Sequence, residues 1–380
     1  MKLCFWFLVV VAVTAVRAPE LQAESAGTKT AKVSAAKPND LSGYNELALS
    51  LIRRARETTD DRYYDQAAEA VRKSLALVPD DFETRKLHVM VLLGKHEYPE
   101  ALSEAQALNK KIPDDVTVRG LLTDAYSALG DYKNAEIAAQ WMLNLRPGNL
   151  PAFVNAAHLR EIFGDPNGAY DALNLAYQGT SPTASADRAS LLTQMGRERR
   201  LAAKDDEAEK LLKQALDLFP AYNPALGELA DVYLDEKRYD DAIALLRQRE
   251  KAVPTARNAY SLAEALERSG RSEEAKGVYA EFLQRASLEA AQKNNANREL
   301  VLYYADRAHQ PLKALELAGQ EYAWRHDIYT LDAYAWALHL NGRDDEARKQ
   351  MDIALAVGTR DPNILAHAAK IKSEQAATLR

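Results

Sequence analysis

The sequence predicts an all-α solenoid of about nine helix pairs, closed by a capping helix at its C-terminal end. Three observations carry this. A skeleton of small and aromatic residues returns every 33 to 39 residues along most of the 380-residue chain. Within each stretch the apolar residues fall at helical rather than strand spacing. Glycine, tyrosine and proline recur at fixed places, so each stretch breaks into two helices. Self-similarity at such a period marks an architecture in which each unit buries its apolar face against its neighbours.

The clearest unit runs from Val116 to Asn149. Ala128-Leu129-Gly130-Asp131-Tyr132 ends one helical pattern and begins another. Gly130 stands where the first helix stops, and glycine takes the positive φ that a helix end often requires. Ala135 lies where the second helix faces the first; a larger side chain there would hold the two apart. Pro147 ends the second helix, since it lacks an N–H and disfavours helix in the residue before it. Asn149 is then placed to cap the next helix. The same skeleton lies 34 residues earlier as Tyr98, Ala101, Leu108 and Pro113, and 34 earlier again as Tyr64, Ala67, Ser74 and Pro79.

The period, the Gly-x-Tyr-x-x-Ala turn and the terminal proline resemble the tetratricopeptide repeat. Nine units align on Ala67, Ala101, Ala135, Ala169, Ala208, Ala242, Ala275, Ala314 and Ala347. Turn glycines recur at Gly130, Gly164, Gly270 and Gly342, and helix-ending prolines at Pro79, Pro113, Pro147, Pro220 and Pro254. The units fall near 48–81, 82–115, 116–149, 150–183, 189–222, 223–256, 256–289, 295–328 and 328–361, within a solenoid spanning 43–376. The resemblance implies a right-handed superhelix whose concave face is lined by the first helix of each unit. It is specific for fold and says little of function, because packing residues define the family.

Residues 1–23 have the form of a secretory signal: Lys2, then an apolar run from Leu3 to Val16, then Leu21-Gln22-Ala23 ahead of a new terminus at Glu24. The run is short for a bilayer-spanning helix. The expected location is therefore periplasmic or otherwise extracytoplasmic, with no integral membrane span once the signal is cleaved and a membrane tether if it is not. Residues 24–42 are rich in Ala, Ser, Thr and Lys, and cannot bury enough surface to offset ordering entropy; they read as a disordered linker.

Along the solenoid, Leu47, Leu51 and Ile52 share one face of the first helix, expected from about Tyr44 to Glu57, with its partner at about Asp65 to Leu77. Units two and three are regular. Unit four replaces the turn tyrosine with Pro166, tolerated at a helix start. The loop Gly179–Ser185 explains the 39-residue spacing that follows. Asn223-Pro224 reads as cap and first-turn proline of unit six. Unit seven ends in a longer helix or loop through Ala286 to Ala296, and unit eight is degenerate, with His309 and Pro311 at its turn. Asp361-Pro362 begins the capping helix, expected through about Lys372.

Composition narrows the partner. A formal charge of -6 argues against nucleic acid, since phosphate binding needs a basic surface. The single cysteine, Cys4, precedes the apolar run, so the mature chain has no disulfide, thiolate metal site or cysteine nucleophile. No phosphate loop, hydrolase elbow or metalloprotease motif is present. The acidic pairs Asp80-Asp81, Asp114-Asp115, Asp205-Asp206 and Asp344-Asp345 fall at helix starts, where they favour the positive end of the dipole. No cofactor and no catalytic or metal-binding residue is expected.

The expected function is a non-enzymatic scaffold of the cell envelope, binding a protein or peptide segment in the concave groove. In the family's phasing that groove takes His158, Arg197 and Arg200 from units four and five, and Asp231, Asp235, Glu264 and Glu267 from units six and seven. Tyr303, Tyr329 and Trp336 follow, with His339 beside them. Arg197 and Arg200 share a helix face and suit carboxylate recognition, while the acids suit a basic part of the same ligand. Reversing both arginines is expected to weaken binding and leave helical content intact. The alternative is an accessory glycan-binding or assembly subunit of a polysaccharide-export or other envelope complex, with the aromatic end contacting sugar. The family's carboxylate clamp is not matched: Lys86 is followed four residues on by Met90 where asparagine belongs, and Asn155 alone makes no clamp.

Overall fold

The computed structural model describes residues 40–145, 148–290 and 298–378. The predicted export signal, its cleavage site, most of the linker, Pro147 and Ala296 lie outside them. Every regular element among the described residues is helical. Nine pairs follow in chain order: α1 (Leu41–Thr58) and α2 (Arg62–Leu77); α3 (Phe82–Gly94) and α4 (Tyr98–Lys111); α5 (Val116–Leu129) and α6 (Tyr132–Leu145); α7 (Leu150–Ile162) and α8 (Pro166–Gly179); α9 (Ser185–Leu201) and α10 (Asp205–Leu218); α11 (Asn223–Asp235) and α12 (Tyr239–Ala252); α13 (Ala256–Arg268) and α14 (Ser272–Ala290); α15 (Arg298–Leu302), continued by a π turn at Tyr303–Arg307, and α16 (Pro311–Tyr322); α17 (Ile328–Leu340) and α18 (Asp344–Ala356). The capping helix α19 (Pro362–Thr378) ends the array.

The alanine phase is that of the packing. All nine aligned alanines are buried, eight of them with no exposed surface and Ala275 with 2%. The turns share one geometry as well. Gly130, Gly164, Gly270 and Gly342 have positive φ, and so do Thr59, His96, Ala203, Lys237 and His309 at the corresponding turns. The left-handed residue belongs to the turn, and five units adopt it against the steric cost of a Cβ.

Several boundaries differ from expectation. The linker stops earlier, because Asp40 caps α1 through a bond from Gly43 N (3.1 Å) and Leu41 is already helical. Gly179 and Ser185 are helical too, so the loop between α8 and α9 is shorter and α9 has 17 residues. Asn149 precedes α7 but its side chain makes no capping bond. Asn223 is inside α11, not its cap, because its side chain is drawn inward to Arg249 Nε (2.8 Å) and Thr59 Oγ1 (2.8 Å). Asp81, Asp115 and Asp361 do cap their helices.

The first helix of each pair lies inside and the second outside. Outer helices bury a stripe, such as Ala208, Leu212 and Ala215 of α10. Inner helices are covered nearly all round: α11 is buried from Asn223 through Leu234. The outward side of α1 carries Ser42, Glu46, Ser50, Arg53 and Arg54, a polar end suited to a terminal unit.

The superhelix winds tightly enough to meet itself. Besides the stacking of successive helices, α1 touches α11. The Leu129 carbonyl accepts from His326 N (3.4 Å), and the Tyr132 hydroxyl accepts from Ile328 N (2.9 Å). Gly130, at φ +82°, is pressed so close to the His326 carbonyl that a Cβ would lie 2.4 Å from its oxygen. Gly164 meets the Gly358 carbonyl in the same way, and Tyr98 meets Trp324 at 6.0 Å between ring centroids. The turns of units one to four thus lie along the start of α11 and the loops that follow units eight and nine. We refer to this line of contact as the seam.

Candidate functional site on the inner helix faces

Equivalent inner positions of successive units hold Arg56, Met90, Asp124, His158, Arg197, Asp231, Glu264, Tyr303 and Trp336. In an open solenoid this row would line a groove. Here the row is largely enclosed, and from Arg197 onward its members find partners within the chain.

The first group centres on α9. Arg197 donates from Nε (3.1 Å) and Nη2 (2.8 Å) to Glu161 Oε1 on α7, and from Nη1 to Glu228 Oε1 on α11 (3.1 Å). Arg200 donates from Nη2 to Glu228 Oε2 (3.1 Å) and lies 3.8 Å from Asp231 and 3.6 Å from Asp235. Glu228 has no exposed surface and bridges the two guanidinium groups. Acids outnumber bases in this group. Burial, reinforced by the charge of Glu161, holds the Glu198 carboxyl well above its usual range. Burial holds the His158 imidazole below its usual value, with the Glu161 carboxylate acting the other way.

A second group surrounds Arg307, in the π turn. Its Nε is 2.6 Å from Glu267 Oε2 and its Nη2 is 3.5 Å from Glu264 Oε1. Tyr279 donates its hydroxyl to Glu267 Oε2 at 3.3 Å. Burial pushes Glu264 up to about 7. Tyr303 packs against Tyr279 (5.4 Å) and Phe282 (5.5 Å), adjoining this group.

The third group lies under α19. Trp336 donates Nε1–H to Asp306 Oδ1 at 2.8 Å, stacks on His367 at 4.6 Å with 7° between the planes, and carries Lys370 Nζ 5.0 Å from its centroid. Asp332 lies between His367 Nδ1 (2.8 Å) and Arg298 Nη2 (3.1 Å), and Arg298 also overlies Tyr329. His339 Nδ1 is 2.7 Å from Asp344.

Thus His158, Arg197, Arg200, Asp231 and Asp235 come together, Glu264, Glu267 and Tyr303 form a neighbouring set, Trp336 sits apart under the cap, and Tyr329 lines a small pocket with Glu161 of the first group and Leu201. The open groove expected along these residues is corrected for all but Glu267, which is exposed. Arg197 is 2% exposed, Arg200 5% and Trp336 5%, because the winding covers the inner helices and oppositely charged neighbours are within reach. Glu161 stands at an inner-face position and was legible by phase. Arg307, although it lies in a π turn, is the phase equivalent of Asp235 and was likewise legible; Glu228 falls beside that face and His367 belongs to the cap, and repeat phasing gives no signal for these two. Among the described residues no group of three or more His, Cys, Asp or Glu is arranged to hold a metal ion.

Residues 204–266, from the start of α10 into α13, match the family described as tetratricopeptide repeat. The family match covers that stretch, and the helix pairs on either side of it form a solenoid of the same tetratricopeptide-like kind. Its fold is similar to that of a monomeric mutant of IFIT1 with Gppp-AAAA, at TM-score 0.53 and 14% identity over 84% of this chain and 72% of that one. The human IFIT1 dimer with PPP-AAAA gives 0.50 at 13% identity, covering 84% and 90%. The APC/C hetero-tetramer Cut9–Hcn1 gives 0.49 at 14% identity, covering 87% of this chain and 55% of that one, so the chain spans about half the length of that relative. At these identities the likeness is one of fold. The sequence matches no curated protein. Solenoids of tetratricopeptide repeats generally mediate protein–protein interaction and are generally non-catalytic.

Proposed function

We propose that the chain is a non-catalytic scaffold of the cell envelope whose charged inner faces receive a segment of a partner protein. One observation supports this above others: arginine and carboxylate side chains are concentrated on inner helices where apolar side chains would stabilise the fold as well or better. A buried ion pair is often no more stable than a well-packed hydrophobic replacement. Arg197, Arg200, Glu228 and Asp231 are thus better suited to recognition than to stability. An extended segment of alternating charge would exchange with these internal pairs, its carboxylates on the two guanidinium groups and its basic groups on Asp231, Asp235, Glu264 and Glu267. The aromatic end supports a glycan reading less, since His367 and Lys370 already cover the Trp336 ring.

The test is a photo-crosslinking residue at Ser190, on the inner helix α9, set against one at Lys133, on an outer helix, in the native envelope. A partner joined from Ser190 and identified by mass supports the reading; crosslinks from Lys133 alone would exclude it. Export rests on residues 1–23 and is tested separately. Protein recovered outside the cytoplasm should have an intact mass beginning at Glu24, and full-length protein confined to the cytoplasm would exclude an envelope role.

A further inference from the structure

The seam differs in kind from the other contacts of the solenoid. Within the stack, helices pack along their length on alanine and leucine. Across the seam, mainly turns and loops touch. Thr59 Oγ1 donates to Asn223 Oδ1 (2.8 Å), the Tyr132 hydroxyl holds Ile328 N, and Trp324 and Arg325 sit against the ring of Tyr98, the guanidinium 5.3 Å from its centroid.

Polar groups on the inner side of units two and three are buried at a cost. Asp124 is 7% exposed and Ser127 3%, and neither Asp124 Oδ2 nor Ser127 Oγ has a hydrogen-bond partner in the protein. His96 Nδ1, beside the Tyr98 ring, has none either. Such groups are normally paired when buried, and parting of the seam would hydrate them. Closure is thus held by these contacts and by the packing of Tyr132, Ile162 and Phe163 on the core of the later units and of Trp324 on that of the first, and is opposed by the desolvation of these groups. A small free-energy difference between two packings of one chain is what a switch requires.

We propose that the seam is a latch: the solenoid opens by parting the turns of units one to four from the loops of later units, and in the closed form the chain's own turns bar access to the charged inner faces. The word access rests on the binding reading above; the opening itself does not. Release is rigid-body, since no helix pair within the stack needs to separate. A partner that binds the inner faces favours the open form by its differential affinity alone.

Thiol accessibility tests the latch. With Cys4→Ser as background, Ser127→Cys places a thiol on the inner face near the seam, and Ser74→Cys places one inside the stack of units one and two, where Ser74 is fully buried. Tyr132→Phe combined with Trp324→Ala removes two seam contacts. The expected result is modification of the thiol at position 127 by Ellman's reagent about tenfold faster in the latch variant, with the rate at position 74 unchanged. A rise in the radius of gyration by solution scattering should accompany it. Equal acceleration at both positions, or none at 127, overturns the proposal. If the double variant does not fold, Tyr132→Phe alone deletes one hydroxyl, keeps the ring on Phe163, and is read by the same pair of rates. Failure here leaves the binding reading standing; absence of crosslinks from Ser190 in a chain whose latch opens removes the binding reading and leaves the latch.

Discussion

Helices α9 and α10 are neighbours in one unit, yet water meets them differently. α9 is buried without interruption from Ala189 to Arg200, whereas α10 buries only Ala208, Leu212 and Ala215. The outer helix follows the usual amphipathic rule, so its apolar stripe announces its face. The inner helix has no water-facing side, and what it buries includes Arg197, Glu198, Arg199 and Arg200. Burial on the inside of this molecule is set by the winding of the superhelix, and polarity there is satisfied by neighbours instead of solvent. One repeat unit can thus hold a helix that buries a single apolar stripe beside one that buries charged and apolar side chains alike.

The largest effect should come from breaking the inner pairing. Arg197→Glu or Arg200→Glu leaves Glu228 buried against another acid, and loss of one partner of a buried pair costs about 3–5 kcal/mol. Urea unfolding should show it as a lower midpoint. Lys133→Glu, on an exposed face of α6, should stay within about 0.5 kcal/mol. Equal midpoints for the inner and outer reversals would show that the inner network does not stabilise the closed fold.

Next in size is a contrast within the outer helices. Ala135 is fully buried and Ala139 is 3% exposed. Leucine at either should overpack and cost about 1–3 kcal/mol. Ala139 lies against Leu159 in the same packed layer as Ala135. Ile137, 55% exposed between them, should accept alanine with a change below about 0.5 kcal/mol. Thermal unfolding of the three variants checks the stripe directly.

A similar effect should follow from pH. Burial raises Asp124 to about 8, with Arg56 opposing. The folded chain therefore holds a proton that the unfolded chain has released. Stability linked to this group is full below the ordinary aspartate range and is lost as pH rises toward 8. His96 acts oppositely: burial lowers it to about 3, so its linked stability is lost as pH falls below the ordinary histidine range. The Asp124 contribution is best seen above pH 6.5, where raising the pH to 8 should cost on the order of 2 kcal/mol. Asp124→Asn should flatten that slope and raise the melting temperature at pH 8. An unchanged slope would mean that the carboxyl meets water, and with it that the inner face is open.

The smallest effect is expected at Val78, an exposed residue ending an outer helix; Val78→Ser should move the melting temperature by less than about 2 °C. A larger shift would show that this edge is covered in solution.

Repeat number, phase and turn positions were legible because Ala67, Ala101, Ala135 and their equivalents are spaced by covalent distance along the chain. The left-handed turn at Ala203, Lys237 and His309 was not, because no glycine marks it. The inner charges were legible as a set but not in their state. Arg197 reaches Glu228, 31 residues on, only after α9 and α11 have packed. Closure was beyond any local pattern: Thr59 and Asn223 are 164 residues apart, and nothing near either names the other.

The seam also constrains how such a chain can change in length. An open solenoid can gain or lose a unit and remain an ordered solenoid, because each unit knows only its neighbours. Here Gly130 fits against His326, and Gly164 against Gly358, only with the present number of units between them. Deleting one interior unit would carry each glycine past its carbonyl by a full repeat. Duplication or loss between Gly130 and Gly358 would therefore part the seam. Between those residues the chain is a counted object, with its number of units set by where it meets itself.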